Sequence, residues 1–164
     1  MATAPRLVER LIERVRRSLF WLISQVGMPC YRRLPLFGRL RASIGIIRHG
    51  DRVLVIRRND GRGLSFPGGL AHPWENDERT LVREVQEETG LRVLSCTFAF
   101  RYDSSEEIPV RIAVFHTQAE GELRASWEGT PDWVELAEAQ RSILGSQKYA
   151  VEQLLLGQVV GQDG

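Results

Sequence analysis

Three carboxylates share one face of a short predicted helix. Glu84, Glu87 and Glu88 occupy positions i, i+3 and i+4, so they lie within about one helical turn of each other. Like charges at this spacing repel each other and weaken an isolated helix. A bound cation would remove that repulsion, and carboxylate oxygens are the hard ligands that Mg²⁺ or Mn²⁺ prefers. The spacing therefore predicts a site for one of these two metal ions.

The flanking residues predict where this helix begins and ends. Asn76 or Asp77 suits the N-cap, and the acidic Glu78 suits the first turn. Gly90 suits the left-handed residue that commonly ends a helix. The helix is therefore predicted to begin near residue 77 and to end just before Gly90.

The same segment contains the apolar residues and the loop that must position the acids. Leu81, Val82 and Val85 give the helix an apolar side for packing on a sheet. The preceding residues 66–69 read Phe-Pro-Gly-Gly, which predicts a strand end running into a turn. Glycines there let the backbone approach a ligand closely. Together these features predict an acidic helix face beside an open, glycine-lined loop.

The stretch from Gly69 to Leu91 resembles the Nudix box, the signature of Nudix hydrolases. It has a glycine, two separated glutamates, an Arg-Glu pair, a Glu-Glu pair, a second glycine and two apolar positions. Trp74 departs from many relatives, which have glycine before the first glutamate. The strand pattern extends the likeness to roughly residues 40–157. The resemblance implies an α/β fold, a Nudix-type α/β/α sandwich with a mixed β-sheet.

The resemblance also implies roles for the acids of the box. Glu84, Glu87 and Glu88 would coordinate Mg²⁺ or Mn²⁺, and the carbonyl of Gly68 would add a ligand. Glu84 or Glu87 is alternatively the general base, and the box leaves this choice open. Arg83 would pair with the acids and orient them. The expected catalytic residues are therefore Glu84, Glu87 and Arg83.

Other residues receive structural or substrate-contacting roles. The residues of the box expected to be structural are Gly69, Glu75 and Gly90. The candidates for contact with substrate are Arg57, Arg62, His72, Trp74 and Glu128. Relatives often supply a further carboxylate from a downstream loop, and Glu128 is the candidate because it lies shortly before Trp133. Trp74 could stack on a base.

The resemblance implies a reaction class but no particular substrate. Nudix relatives cleave the diphosphate linkage of a nucleoside diphosphate joined to another moiety, such as a nucleotide or a sugar. A second hypothesis is a catalytically idle Nudix-fold module that senses nucleotides. Retention of the three helix acids, Glu75 and Arg83 favours the enzyme. Specificity in the family comes from elements outside the box, so the substrate stays undetermined at this level.

Composition fits one compact domain with a basic N-terminal appendage. The chain has 164 residues, 43% of them hydrophobic, and a net charge of +1, so no specific nucleic-acid partner is expected. Residues 1–41 nevertheless carry nine arginines against two glutamates. We predict three regions: a basic amphipathic helix and linker at 1–40, the Nudix domain at 41–158 and a tail at 159–164.

The N-terminal region has an apolar stripe at helical spacing. Its members recur at three- and four-residue steps: Leu7, Leu11, Ile12, Val15, Leu19, Leu22, Ile23 and Val26. Three settings suit this stripe: packing on its own domain or on a second subunit in a homodimer, contact of residues 5–26 with an anionic membrane surface, or binding to another protein. No apolar run approaches the ~20 residues that span a bilayer.

Two widely separated cysteines, Cys30 and Cys96, form neither a metal-ligand set nor a disulfide framework. We therefore expect a reduced, cytoplasmic protein. A peripheral position at the membrane surface follows only from the second of the three settings given above.

The remaining sequence predicts mainly strands. The predicted strands are Ala42–His49, Arg52–Arg58, Leu64–Phe66, Arg92–Tyr102, Ile108–Thr117 and Trp133–Leu136. His49, Gly50 and Asp51 predict a hairpin turn between the first two. A polar turn is expected at residues 103–106, and a C-terminal amphipathic helix is expected to end at Gly157.

Overall fold

The computed structural model describes residues 38–157 together with seven isolated positions between residues 12 and 30. The first half of the continuous part contains β1 (Leu40–Ile46), β2 (Arg48–His49), β3 (Arg52–Arg58), β4 (Leu64–Ser65), β5 (Gly68–Leu70) and α1 (Asp77–Thr89). The second half contains β6 (Arg92–Ser104), β7 (Val110–Glu120), β8 (Gly129–Glu135), α2 (Leu136–Ser142), a 3-10 turn (Gly145–Gln147) and α3 (Lys148–Leu155).

The strands form two sheets. The first is mixed, with the order β5-β1-β7-β6: β1 runs parallel to β7, and the other two pairings are antiparallel. A parallel pair needs a long crossover connection, and α1 lies within the chain that joins β1 to β7. The second sheet is antiparallel, with β3 between β8 on one side and β2 and β4 on the other.

Residues of β1 and Ile47, which directly follows it, belong to two hydrophobic cores, one on each face of the mixed sheet. Ile44 and Ile46 belong to the core that includes Val151 of α3. Ile47 belongs to the other core, with Leu81 of α1. Helices therefore cover both faces, and the predicted α/β/α sandwich with a mixed sheet is confirmed.

The predicted ends of α1 agree with the structure. The side chain of Asn76 accepts a hydrogen bond from the backbone N–H of Arg79 at 2.8 Å, so Asn76 is the N-cap. Gly90 ends the helix in a left-handed conformation with φ of 77°, and its N–H donates to the carbonyl of Gln86. Both ends are thus fixed by residues whose types suit them.

One of the three residues predicted for the apolar side of α1 is wrongly placed. Leu81 and Val85 are fully buried, but Val82 is 40% exposed. Each residue turns a helix by about 100°, so Val82 points sideways once Leu81 faces the sheet. The predicted apolar side is therefore narrower than the sequence suggested.

The hairpin at Gly50 and the C-terminal helix are present. His49 pairs with Arg52 across the turn, and Gly50 has a φ of 58°. Three strands, β6, β7 and β8, are longer than predicted. Asp103, expected in a turn, still pairs with Arg111 in β6 and β7, and β8 begins at Gly129 instead of near Trp133.

The predictions for the N-terminal helix and linker at 1–40 and for the tail at 159–164 fall largely outside the described residues. Their structure, the homodimer and the membrane contact therefore stay predictions. Among the residues that the structure describes, no helix is long and apolar enough to cross a membrane.

Candidate metal and diphosphate site

Three carboxylates from two parts of the chain meet beside the glycine loop. Glu84 and Glu88 lie on successive turns of α1, and Glu128 lies just before β8. One carboxylate oxygen from each lies within 4.8 Å of the other two. Glu88 is 2% exposed and Glu84 is 8% exposed. Their closeness and burial give the chemistry of a divalent-cation site, since buried carboxylates need a positive partner.

Burial makes these acids hard to ionise in the absence of a cation. Burial raises the pKa of Glu84 to about 7, although Arg83 opposes the shift. Burial, followed by the charge of Glu128, also raises the pKa of Glu88 well above its usual value. Burial likewise raises the pKa of Glu128. A divalent cation would let all three stay charged at neutral pH.

Arg83 links the acids of the box. Its Nε and Nη2 atoms donate to the two carboxylate oxygens of Glu75 at 2.8 and 2.9 Å, which is a bidentate pair. Its Nη1 atom donates to Glu84 at 2.7 Å. The hydrogen bonds from Arg83 to Glu75 are the main cause that lowers the pKa of Glu75 to about 2. Arg83 thus sits where it can orient Glu84.

Glu87 stands apart from the three clustered acids. Its side chain is 59% exposed, and its contact in the described structure is with Arg83 at 3.4 Å. Residues four apart on a helix point in more similar directions than residues one apart, so Glu84 and Glu88 can face Glu128 while Glu87 faces solvent. The predicted metal and general-base roles of Glu87 stay predictions.

The predicted glycine loop is short: after a turn at residues 66 and 67, Gly68 and Gly69 begin β5. Gly69 leaves room for an acid of α1, and Gly68 lets β5 approach β1 closely. A Cβ atom on Gly69 would lie 2.5 Å from Oε1 of Glu84. Gly68 has a φ of 147°, and a Cβ there would lie 2.1 Å from the carbonyl oxygen of Ser43. The N–H of Gly68 donates to Glu88 at 2.8 Å. The sequence pointed to the carbonyl of Gly68 as a ligand, whereas the described contact comes from its N–H.

The loop after β3 places Glu128, and sequence reasoning missed this. The N–H of Asn59 donates to the carbonyl of Glu128 at 2.8 Å, and its side-chain amide donates to the carbonyl of Trp127 at 3.1 Å. A Cβ on Gly129 would lie 2.4 Å from the carbonyl oxygen of Arg57, so β8 approaches β3 closely there. The sequence signals for this contact were the Asn-Asp-Gly turn at residues 59–61 and the glycine at position 129.

A cleft of about 130 Å³ adjoins Gly68 and Gly69. Its apolar wall comes from β1 and β7, through residues such as Ile44 and Ile112, and its polar lining includes Arg62. Small-molecule pockets usually measure ~300 Å³ or more. The cleft is therefore smaller than the pockets that usually enclose a whole small-molecule ligand.

Of the two arginines predicted to contact substrate, only one lies at the cleft. Arg62 lines the cleft, but Arg57 does not. Arg57 pairs instead with Asp132 and Glu138, at 2.7 and 2.6 Å. Alternation along β3 turns the next residue, Arg58, to the cleft side.

The two ring side chains predicted to contact substrate lie in the segment between β5 and α1. Trp74 is 77% exposed and lies 5.1 Å from His72, ring centre to ring centre. The Nδ1 atom of His72 lies 3.4 Å from Glu75. Neither ring lines the cleft, so a contact with substrate would involve a part that projects past the loop.

The chain is thus an α/β protein whose acidic helix, beside a Gly-Gly pair, carries a candidate metal site. The sequence model described as the NUDIX domain matches residues 39–154, and the chain therefore belongs to the NUDIX family. The prediction that this chain is a Nudix hydrolase is therefore confirmed for the family.

Two relatives illustrate the range of the family. The chain is 32% identical over 107 residues to the Bacillus subtilis protein named "Putative 8-oxo-dGTP diphosphatase YtkD", a match that covers 64% of this chain and 67% of that protein. It is 36% identical over 86 residues to the RNA pyrophosphohydrolase of Pseudomonas syringae pv. tomato. That match covers 48% of this chain and 52% of the relative.

Solved structures share the fold. The solution structure of the Escherichia coli ORF135 protein superposes with a TM-score of 0.65 at 19% identity, covering 80% of this chain and 99% of that one. The MutT protein of Methanosarcina mazei superposes with a TM-score of 0.64 at 21% identity, covering 74% and 96%. At these identities the likeness concerns the fold alone.

Proposed function

We propose that this protein is a hydrolase, dependent on Mg²⁺ or Mn²⁺, that cleaves the diphosphate linkage of a nucleoside diphosphate joined to another moiety. The observation that carries the proposal is the meeting of Glu84, Glu88 and Glu128 beside the glycine loop. Two relatives are named for diphosphate chemistry on a nucleotide and on RNA, which supports the reaction class.

The side chains divide the work of such a reaction. A bound divalent ion would neutralise the diphosphate and lower the pKa of a water ligand. Glu84, Glu88 and Glu128 would hold the ion, with Arg83 and the N–H of Gly68 fixing two of these carboxylates. Water then attacks one phosphorus atom, its proton passes to a base, and the P–O bond to the other phosphate breaks. Glu84 and Glu87 are the two candidate bases.

The cleft beside the loop is proposed to hold the ring system of the substrate. Its apolar wall would cover the faces of a planar ring, and Arg62 at its lining would meet a phosphate or a polar edge. His72 and Trp74 are kept as candidate contacts for the part of the substrate outside the cleft. A cytoplasmic location, a homodimer and a membrane-surface contact stay predictions beside this proposal.

The first test is hydrolysis by the wild type and by Glu84→Gln. Nucleoside triphosphates, oxidised deoxynucleotides, nucleotide-sugars and 5′-triphosphorylated RNA are assayed with Mg²⁺ or Mn²⁺. We expect at least one substrate to be cleaved and Glu84→Gln to lose ~100-fold or more in kcat/KM, since even residues that only support metal ligands contribute 10–100-fold. Mn²⁺ affinity, measured by electron paramagnetic resonance, should fall in parallel.

Glu78→Gln is the matched control, because Glu78 lies on the first turn of α1 outside the carboxylate cluster. It should hydrolyse like the wild type. Equal rates for Glu84→Gln and the wild type would contradict the metal assignment. Nucleotide binding without turnover by the wild type would instead support the nucleotide-sensing module.

A further inference from the structure

Four arginines gather on the α1 side of the mixed sheet, on the face opposite the cleft. They are Arg39, Arg41, Arg101 and Arg111, and we call them the arginine cluster. Arg41 lies directly opposite Arg111 in the pairing of β1 with β7. Like charges placed opposite each other on neighbouring strands are unfavourable. Neighbouring acidic side chains or a bound anion would relieve this repulsion.

Two aspartates balance only part of it. Asp77 accepts from Arg41 at 2.8 Å and from Arg101 at 2.5 Å. Asp103 pairs with Arg39 and accepts from Arg111 at 2.8 Å. The arginine cluster therefore keeps two more positive than negative charges among these six residues. Each guanidinium has five N–H donors, and the contacts described for each of these arginines use no more than two hydrogen-bond donors.

The cluster surrounds a depression of about 340 Å³. The side chains of Arg41, Arg101 and Arg111 line it and are 47%, 47% and 55% exposed. Asn76 and Asp77, at the N-terminus of α1, complete the lining. The helix dipole adds partial positive charge at this end. A concave surface with three half-exposed arginines has the shape and charge that an anion needs.

The depression is connected to the proposed active site through the loop between β5 and α1. The Nη2 atom of Arg41 donates to the backbone carbonyl of Glu75 at 2.9 Å. The side chain of Glu75 in turn holds Arg83, which holds Glu84. The loop between the two regions is therefore short and firmly bonded.

We propose that the arginine cluster is a second phosphate-binding site, separate from the carboxylate site. Guanidinium groups suit phosphate because they donate in pairs to its oxygens. Two sources share this chemistry: a more distant phosphate of a substrate whose diphosphate occupies the active site, or free phosphate from solution. Only the first source rests on the proposed function.

The test measures phosphate binding by the full chain in EDTA, so that no metal draws phosphate to the carboxylates. Inorganic phosphate and pyrophosphate are titrated by isothermal calorimetry into the wild type and Arg101→Gln/Arg111→Gln. We expect the wild type to bind and the double variant to bind about tenfold or more weakly, since two charge-assisted contacts are removed. Absence of binding by the wild type, or equal binding by the variant, would overturn the proposal.

Arg92→Gln is the matched control, because Arg92 lies on the same strand as Arg101 and pairs with Glu120 outside the depression. It should bind phosphate like the wild type. Melting temperature checks that the variants fold. If the double variant unfolds, Arg101→Gln and Arg111→Gln are titrated singly, and each should weaken binding.

A kinetic comparison separates the two sources. A nucleoside triphosphate and a 5′-triphosphorylated dinucleotide are compared with Mg²⁺. A rise of about tenfold in KM for the dinucleotide alone, in the double variant, assigns the site to a distant substrate phosphate. Unchanged KM values, together with weakened phosphate binding, assign it to free phosphate. Glu84→Gln should lose turnover yet keep phosphate binding in EDTA, so failure of the proposed function would leave the binding result readable.

Discussion

Arg83 has the densest set of ionic contacts in the site. It forms a bidentate pair with Glu75 and also contacts Glu84 and Glu87. These contacts need the flat, forked geometry of a guanidinium, which a lysine ammonium does not have. The sequence pointed to this pairing through the family resemblance, and the distances show which oxygens it reaches.

We predict that Arg83→Lys lowers kcat/KM by ~10–100-fold, the usual cost of losing a group that orients a metal ligand. The charge remains but the bidentate contact with Glu75 is lost, so Glu84 is no longer held in place. Steady-state hydrolysis and Mn²⁺ binding measure the effect. Arg79→Lys, at an exposed position on the same helix, should behave like the wild type. A fully active Arg83→Lys would show that charge alone is sufficient.

At the residue scale, the sequence revealed the acids that lie near each other in the chain. Glu84 and Glu88 are one helical turn apart, so local geometry places them together. The contact between Glu128 and Asn59 could not be predicted from local geometry. They meet only because β3 pairs with β8, and no local rule fixes that pairing.

At the scale of elements, α1 is the part that carries the site. Its N-cap and its C-terminal glycine were both predictable, because capping depends on residue type and local conformation. How deeply α1 is buried in the structure could not be predicted from the sequence. Contact of Leu81 and Val85 with the sheet buries Glu84 and Glu88 as well, and this burial raises their pKa values.

Removal of the cap should loosen this element. Asn76→Ala removes the acceptor for the N–H of Arg79, which should cost about 1 kcal/mol in the free energy of unfolding. For a domain of this size we expect the melting temperature to fall by ~2–4 °C. Gln86→Ala, an exposed change within the same helix, is the control and should leave the melting temperature nearly unchanged. An Asn76→Ala protein as stable as the wild type would show that the cap is dispensable.

For the whole molecule, the buried acids predict how stability depends on pH in the absence of metal. The pKa of Glu84 rises from 4.5 to about 7 on folding, so its contribution to stability is present below about pH 4.5 and is lost as the pH rises through 7. Glu75 changes the pH dependence of stability in the opposite direction. Its pKa falls from 4.5 to about 2, so its contribution is lost as the pH falls through 2.

In EDTA we therefore expect the melting temperature to fall by several degrees between about pH 5 and pH 8, and added Mn²⁺ to restore it. Scanning calorimetry across this range measures the effect. Glu84→Gln cannot ionise, so its metal-free melting temperature should depend less on pH. A metal-free melting temperature that rises with pH over the same interval would contradict the assignment of the buried acids.

The distribution of charge also belongs to the whole molecule. A net charge of +1 gives no sign of an anion site, because a sum over the chain hides local groups. Arg41, Arg101 and Arg111 come from three strands, and only the order β1-β7-β6 brings them to one depression. Sequence spacing could not show this, since the pairing of β1 with β7 joins residues about seventy positions apart.

The sequence by itself determined what depends on neighbours along the chain. These features are the caps of α1, the hairpin at Gly50, the turn before Gly68 and the family to which the box belongs. The tertiary structure decided what depends on pairing across the chain. It joined Glu128 to Glu84 and Glu88, turned Arg57 away from the cleft in favour of Arg58, and left Glu87 exposed. Local sequence fixes dihedral preferences and helix ends, whereas burial and long-range contacts follow from how the sheets and helices pack.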